Sequence, residues 1–110
     1  MAYGTRSGDD KLLSLQKQIR SLLKVSSFTK SSVAITAGSS SGRIEIGCTE
    51  PGYTPLGIVA ITKGGTNSSY CIPYDWFIED AAAAVYLRNI GASDASIYVR
   101  VDVLMIKSSL

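Results

Sequence analysis

The spacing of apolar residues along this chain changes period once. In residues 9–25, DDKLLSLQKQIRSLLKV, the residues Leu12, Leu15, Ile19 and Leu22 recur at intervals of three, four and three. That is the a/d rhythm of a coiled coil over two heptads, and it predicts an amphipathic helix. Ser7 or Asp9 can cap its start, the Asp9-Asp10 pair suits the positive end of the helix dipole, and Lys24 suits the other end. From residue 32 onward the period is two. Val33 and Ile35 share a face, as do Ile44, Ile46 and Cys48, and Val85 and Leu87 oppose Tyr86 and Arg88. In residues 95–107 the inward set Ile97, Val99, Val101, Val103 and Met105 opposes Tyr98, Arg100 and Asp102.

Turn chemistry separates these runs: the polar loop AGSSSG at 37–42, read as a hairpin loop, then TEPG at 49–52, Glu79-Asp80 and residues 91–94. Strands are predicted at 32–36, 43–48, 53–62, 69–78, 82–89 and 95–107. Strands at intervals of about ten residues imply an antiparallel β-sandwich or jelly-roll-like domain, preceded by one short amphipathic helix. Residues 53–78 read as its central hairpin, turning at Lys63-Gly64-Gly65-Thr66-Asn67, with Gly57 to Ile61 apolar on both faces and therefore central in a sheet. Pro73 interrupts the second half, and a bulge there would exchange the faces of the residues after it.

The domain reading is a flexible or partner-docking tail at 1–8, an oligomerisation helix at 9–25, a Ser/Thr-rich linker at 26–32 and a β-sandwich at 33–110. Leu23 at e and Val25 at g widen the stripe beyond a two-stranded seam, so Leu12, Leu15, Ile19, Leu22 and Leu23 form the expected oligomerisation surface. Self-association is the favoured way to bury it. Packing on the chain's own β-domain, or on a membrane surface or unrelated partner, stays open. Two heptads alone are marginal in water, so associating helices imply that the β-domains share the interface.

A chain of 110 residues supports one core, and 45% apolar content with abundant Gly and Ser suits a turn-rich β-domain. No apolar run approaches the ~20 residues that span a bilayer, and the start lacks a secretory apolar core, which points to synthesis and folding in a cytoplasm. The net charge is +2, but residues 1–30 carry six basic side chains against two acids, while the remainder is slightly acidic. A basic leading segment could dock on an acidic surface. Nothing here calls for nucleic acid or a membrane as partner.

Histidine is absent, which removes the usual general base and metal ligand. The carboxylates Glu45, Asp75, Glu79, Asp80, Asp94 and Asp102 are scattered, and no Gly-Lys-Ser/Thr follows Gly64-Gly65 to make a phosphate loop. No catalytic residue, metal site or cofactor is therefore assigned, and the chain is read as non-enzymatic. Cys48 and Cys71 read as buried reduced thiols. Tyr53, Tyr70, Tyr74 and Trp76 could line an aromatic platform for sugar rings or fill the core, the core being favoured for Trp76. Asn67, Tyr70, Tyr74 and Asp75 are the candidate ligand or receptor surface.

Three segments, GYTPLGIVAI, SSYCIPYDWFI and VYLRNIGASDASIYVRVDVLMIK, together resemble a small β-module found at the end of tail-fibre or baseplate proteins of tailed bacteriophages of Gram-positive hosts. The resemblance spans residues 33–107 and rests on the GY-x-PLGIV and LRN-x-G-x-S segments. It implies a trimeric virion protein, made in the bacterial cytoplasm, exposed on the particle and attached to other virion proteins through its amino-terminal segment; a host-surface glycan is a partner it leaves open. The family's long fibre is replaced here by a short helix and tail, so a capsid decoration or head-fibre protein is an alternative. A carbohydrate-binding module is another.

Overall fold

A computed structural model of the chain describes residues 21–109. Residues 1–20, which include Leu12, Leu15 and Ile19 of the expected stripe, lie outside the described residues. Six strands follow one another: β1 (Leu23–Ile35), β2 (Ile44–Gly47), β3 (Tyr53–Thr66), β4 (Cys71–Glu79), β5 (Ala82–Asn89) and β6 (Ala95–Lys107). They form two three-stranded antiparallel sheets, ordered β1-β6-β3 and β2-β5-β4.

The strict alternation of β6 seats it at the centre of the first sheet. Ile97, Val99, Val101, Val103 and Met105 are buried, and they meet Ile44, Ile46, Cys48, Ala83, Val85 and Leu87 of the second sheet in a single core. Each fully buried Val, Leu or Met is worth about 1.5–3 kcal/mol over its exposed state. A one-residue slip of β6 would carry all five inward side chains to the solvent face, so its register is fixed by burial. β5 is central in the second sheet, and its Ala82, Ala83 and Ala84 are buried on both faces.

Sequence periodicity located β2, β5 and β6 closely but misassigned two connections and the position of one strand. Residues 53–78 are not a hairpin. β3 continues through Lys63, Gly64, Gly65 and Thr66, and a single 3-10 turn at Ser68–Tyr70 then carries the chain into the other sheet. β3 is also an edge strand rather than a central one. Its apolar residues on both faces reflect two irregularities, at Leu56 and Val59, rather than two covered faces. The loop at 37–42 likewise connects strands of different sheets.

The amino-terminal boundary differs as well. Leu23, Lys24 and Val25, expected at the end of the helix, and the expected linker 26–32 are all part of β1, with Leu23 opposite Ile106 and Phe28 opposite Val101. Alternation was hidden there because the inward positions Lys24, Ser26 and Lys30 are polar. β2, which faces β1, has only four residues and leaves that part of the inner face without an apolar partner. Glu50 occupies the space: Lys24 Nζ donates to its Oε1 at 2.7 Å, and the Ser26 hydroxyl donates to its Oε2.

Among the described residues the one tight hairpin joins β4 to β5 through Asp80 and Ala81, both left-handed (φ 53° and 57°), with Glu79 opposite Ala82. This is the geometry whose twist matches paired strands.

Candidate functional site

The register places the two ends of the sheets apart. At the junction end lie Leu23, Glu50, Tyr53, the Asp80-Ala81 turn and Ile106, tied by Cys48 N–H to Ala81 O and Ser108 N–H to Gly52 O. At the distal end lie Ile35, the 38–41 loop, Asn67, Tyr70, Asn89 and the 90–94 turn.

Distal order comes from side chains that satisfy backbone groups. Asn89 is fully buried; its Nδ2 donates to Ile35 O and Ser93 O, and its Oδ1 accepts from Gly91 N–H. Asn67 is left-handed and donates through Nδ2 to Asp94 O, while Asp94 Oδ1 accepts from Ala37 N–H. Asn67, half-buried, is therefore engaged through its amide nitrogen in holding the turn. The 38–41 loop runs beside β5, with Ser41 N–H donating to Leu87 O and Arg88 donating to Gly38 O.

On this frame the exposed outer surface of the second sheet carries Ile72, Tyr74, Arg88 and Ile90 around a shallow depression. Tyr74 shares a hydrogen bond between its phenol and the Ser40 hydroxyl, and its ring lies 6.0 Å from Tyr86. Phe77 stacks with Tyr86 at 6.1 Å, beneath the Arg43 guanidinium. Asp75 sits opposite Tyr86 on this outer face. Tyr70 packs its ring against Gly91, where any β-carbon would collide with it, and presents the rest of its ring to solvent. Of the expected surface, Tyr70, Tyr74 and Asp75 are thus displayed. Ile90 and Ser40 were not legible as partners, because they reach this face through loop-to-strand packing.

The expected face exchange occurs. A bulge between Pro73 and Asp75 leaves Tyr74 as the extra residue, so Cys71 and Pro73 face inward before it, and Trp76 and Ile78 after it. Trp76 stands opposite the buried Val85, yet remains 48% exposed. It lines an apolar groove with Pro73 and with Ile58, Val59, Ala60 and Ile61 of β3, where the two edge strands leave the core laterally open. Tyr53 is far from these aromatics in register; its half-buried ring lies 4.7 Å from Lys24 Nζ.

Both cysteines are buried free thiols, and burial raises the pKa of each, which keeps them protonated and unreactive. Glu45 and Glu79 approach the same Arg43, each at 3.5 Å on an exposed surface, where an ion pair is worth little. Among the described residues no three His, Cys, Asp or Glu side chains group as a metal site would need, and no helix is long and apolar enough to cross a membrane.

At the junction, Ser21 and Leu22 are helical and Leu23 is already paired in β1, so no loop separates helix from strand. Beside it, the outer face of the first sheet is apolar: Leu23 and Val25 stand opposite Ile106 and Leu104. No protein-family model matches the chain, and neither curated proteins nor solved structures give a match.

Proposed function

We propose that this chain is a non-enzymatic structural module of a bacteriophage particle, a homo-oligomer, most simply a trimer. Its amino-terminal segment engages other virion proteins and its distal end faces outward. The single observation that carries this reading is the passage from helical Leu22 straight into β1 at Leu23, at the end of the sheets opposite the one bearing Tyr70 and Ile90. The apolar stripe of Leu12, Leu15, Ile19 and Leu22 read from the sequence is then to be covered by other chains. The nested strand order, with β1 beside β6 and β2 beside β5, supports a jelly-roll-like reading of the fold.

Light scattering on the purified chain tests the oligomer. Wild type is expected to be a stable assembly at micromolar concentration. Leu15→Asp combined with Leu22→Asp should give a monomer whose β-domain melts cooperatively, because charge in the seam costs far more than charge at a sheet end. A wild-type monomer overturns the reading. A double variant that unfolds altogether would instead assign the stripe to the chain's own domain.

A second reading, attachment to a host-surface glycan, is favoured by the exposed Tyr70 and Tyr74 rings beside Arg88 and Asp75. It is compatible with the first. Glycan-array or cell-wall binding that is lost in Tyr70→Ala or Tyr74→Ala, with the melting temperature unchanged, would support it. Absence of any binding by wild type would leave a purely architectural role.

A further inference from the structure

We propose that the depression around Ile72, Tyr74, Arg88 and Ile90 takes a saccharide bearing a carboxylate, with Arg88 as its anion-binding group. This deepens the host-surface glycan reading given above and rests on it. What carries it is a guanidinium left without a counter-charge among exposed apolar side chains. Among the described residues Arg43 is paired with Glu45 and Glu79, and Arg100 with Asp102, whereas Arg88 is paired with no carboxylate. Arg88 donates through Nη2 to Gly38 O, which holds the side chain against the 38–41 loop. The two hydrogens of Nη2 belong to different edges of the planar guanidinium, so one bidentate edge stays open whichever of them Gly38 takes.

The surroundings are those of a built site. The depression encloses about 520 Å³, no acidic side chain lines it, and Asp75 stands one pair further along the ladder, opposite Tyr86. A single charged group set among apolar walls fixes the orientation of a ligand that the walls bind. Ile72, Tyr74 and Ile90 are all exposed here, although the core lies on the other face of this sheet. Their backbone is held before any ligand arrives: Ser41 N–H donates to Leu87 O, Asn89 N–H to Ser39 O and Ile90 N–H to Tyr70 O.

A carboxylate can also arrive on a peptide, but peptides gain affinity by pairing their backbone with a free strand edge. Around Arg88 both sides of β5 are taken, by Ile72 of β4 and by the bridge to Ser40, and the outer edge of β4 is interrupted by Pro73 and the bulge at Tyr74. A sugar ring needs no such edge. It offers a face of C–H groups, which suits Ile72, Ile90 and the Tyr74 ring, and a rim of hydroxyls, which suits the Tyr74 phenol and the Ser40 hydroxyl bonded to it. One open guanidinium edge matches the two oxygens and single charge of a carboxylate, whereas a phosphate monoester carries more charge and a third oxygen.

Calorimetric titration of the full-length chain tests this with tetramers of galacturonate, glucuronate and mannuronate, each beside its carboxyl-reduced neutral counterpart. The expected result is that a uronate binds about tenfold more tightly than its neutral counterpart, and that the preference shrinks as salt rises. Arg88→Gln should abolish the preference. So should Ile90→Glu, which keeps Arg88 and its bond to Gly38 and sets a carboxylate beside it, with the melting temperature of wild type. Equal binding of acidic and neutral forms, or a preference that survives both variants, overturns the inference and leaves the glycan reading standing. A tetraglutamate peptide bound as tightly as the uronate assigns the depression to acidic peptides and overturns it as well. No binding of any of these sugars, acidic or neutral, overturns both.

Discussion

The junction and distal ends of the two sheets are both stitched by polar groups, but by different chemistry. At the junction end, β1 is held to the turn before β3 by Glu50, which accepts from Lys24 Nζ and from the Ser26 hydroxyl in a partly exposed setting. At the distal end, the buried Asn89 and the left-handed Asn67 bind backbone carbonyls and N–H groups of the Ile35 strand end and the 91–94 turn with neutral hydrogen bonds. Ionic contacts near solvent are weak and respond to pH and salt, whereas a buried amide is expensive to unpair and indifferent to both. The distal surface is thus presented by a rigid frame. The junction is fastened more lightly.

Removing the distal frame should have the largest effect. Asn89→Ala leaves the buried carbonyl of Ile35 and the Gly91 N–H without partners and opens a cavity, costing about 3 kcal/mol. In a domain of this size that lowers the melting temperature by about 10–20 °C in thermal denaturation. A loss of only a few degrees would mean that the distal end is held by strand pairing alone.

The junction end should show a smaller effect of opposite sign. Ala81 pays the steric cost of a left-handed conformation at the β4–β5 hairpin, so Ala81→Gly should stabilise the domain by about 1 kcal/mol in denaturant unfolding. Destabilisation would show that the Ala81 methyl packs more usefully than its backbone is strained.

The finest distinction is in pH response. The hydrogen bond from Lys24, and then that from Ser26, hold the Glu50 pKa below the usual carboxylate range. A lowered folded-state pKa stabilises above the ordinary carboxylate value and loses that contribution as pH falls through the range. Wild type should therefore lose stability on acidification more steeply than Glu50→Gln, and the gap should narrow in high salt. The Lys24 pKa is raised by the same hydrogen bond, so its share is lost only at strongly alkaline pH. Parallel pH profiles for Glu50→Gln and wild type would remove Glu50 from the fastening of the junction.

Local pattern reached as far as single strands. The alternation in residues 95–107 located β6 because every second side chain is buried by the opposite sheet, and the turn residues bounded β5 and β2 in the same way. Pro73 announced the bulge that turns Trp76 inward, since a residue without an N–H breaks a regular ladder wherever it falls. The candidate surface was legible in part. Tyr70, Tyr74 and Asp75 are displayed, but Asn67 is engaged with Asp94, a residue far along the chain whose position no local signal gives.

Alternation alone was enough to establish a β-domain with most of these strands and their inward faces, because it needs only a buried side and an exposed one. Which strands lie side by side was settled by long-range contacts. Glycines at the end of β3 suggested a hairpin, but Gly64 makes room for the Tyr98 ring and Gly65 for the close approach of Ser96, so the strand runs on and crosses to the other sheet. That crossing makes β3 and β4 facing edges and leaves Trp76 in an open groove. In the same way, a stretch of serines and lysines became β1 because β6 offered it a partner and Glu50 met its polar inner face. Such pairings depend on residues far apart in the chain, and the period of a segment carries no record of its neighbour.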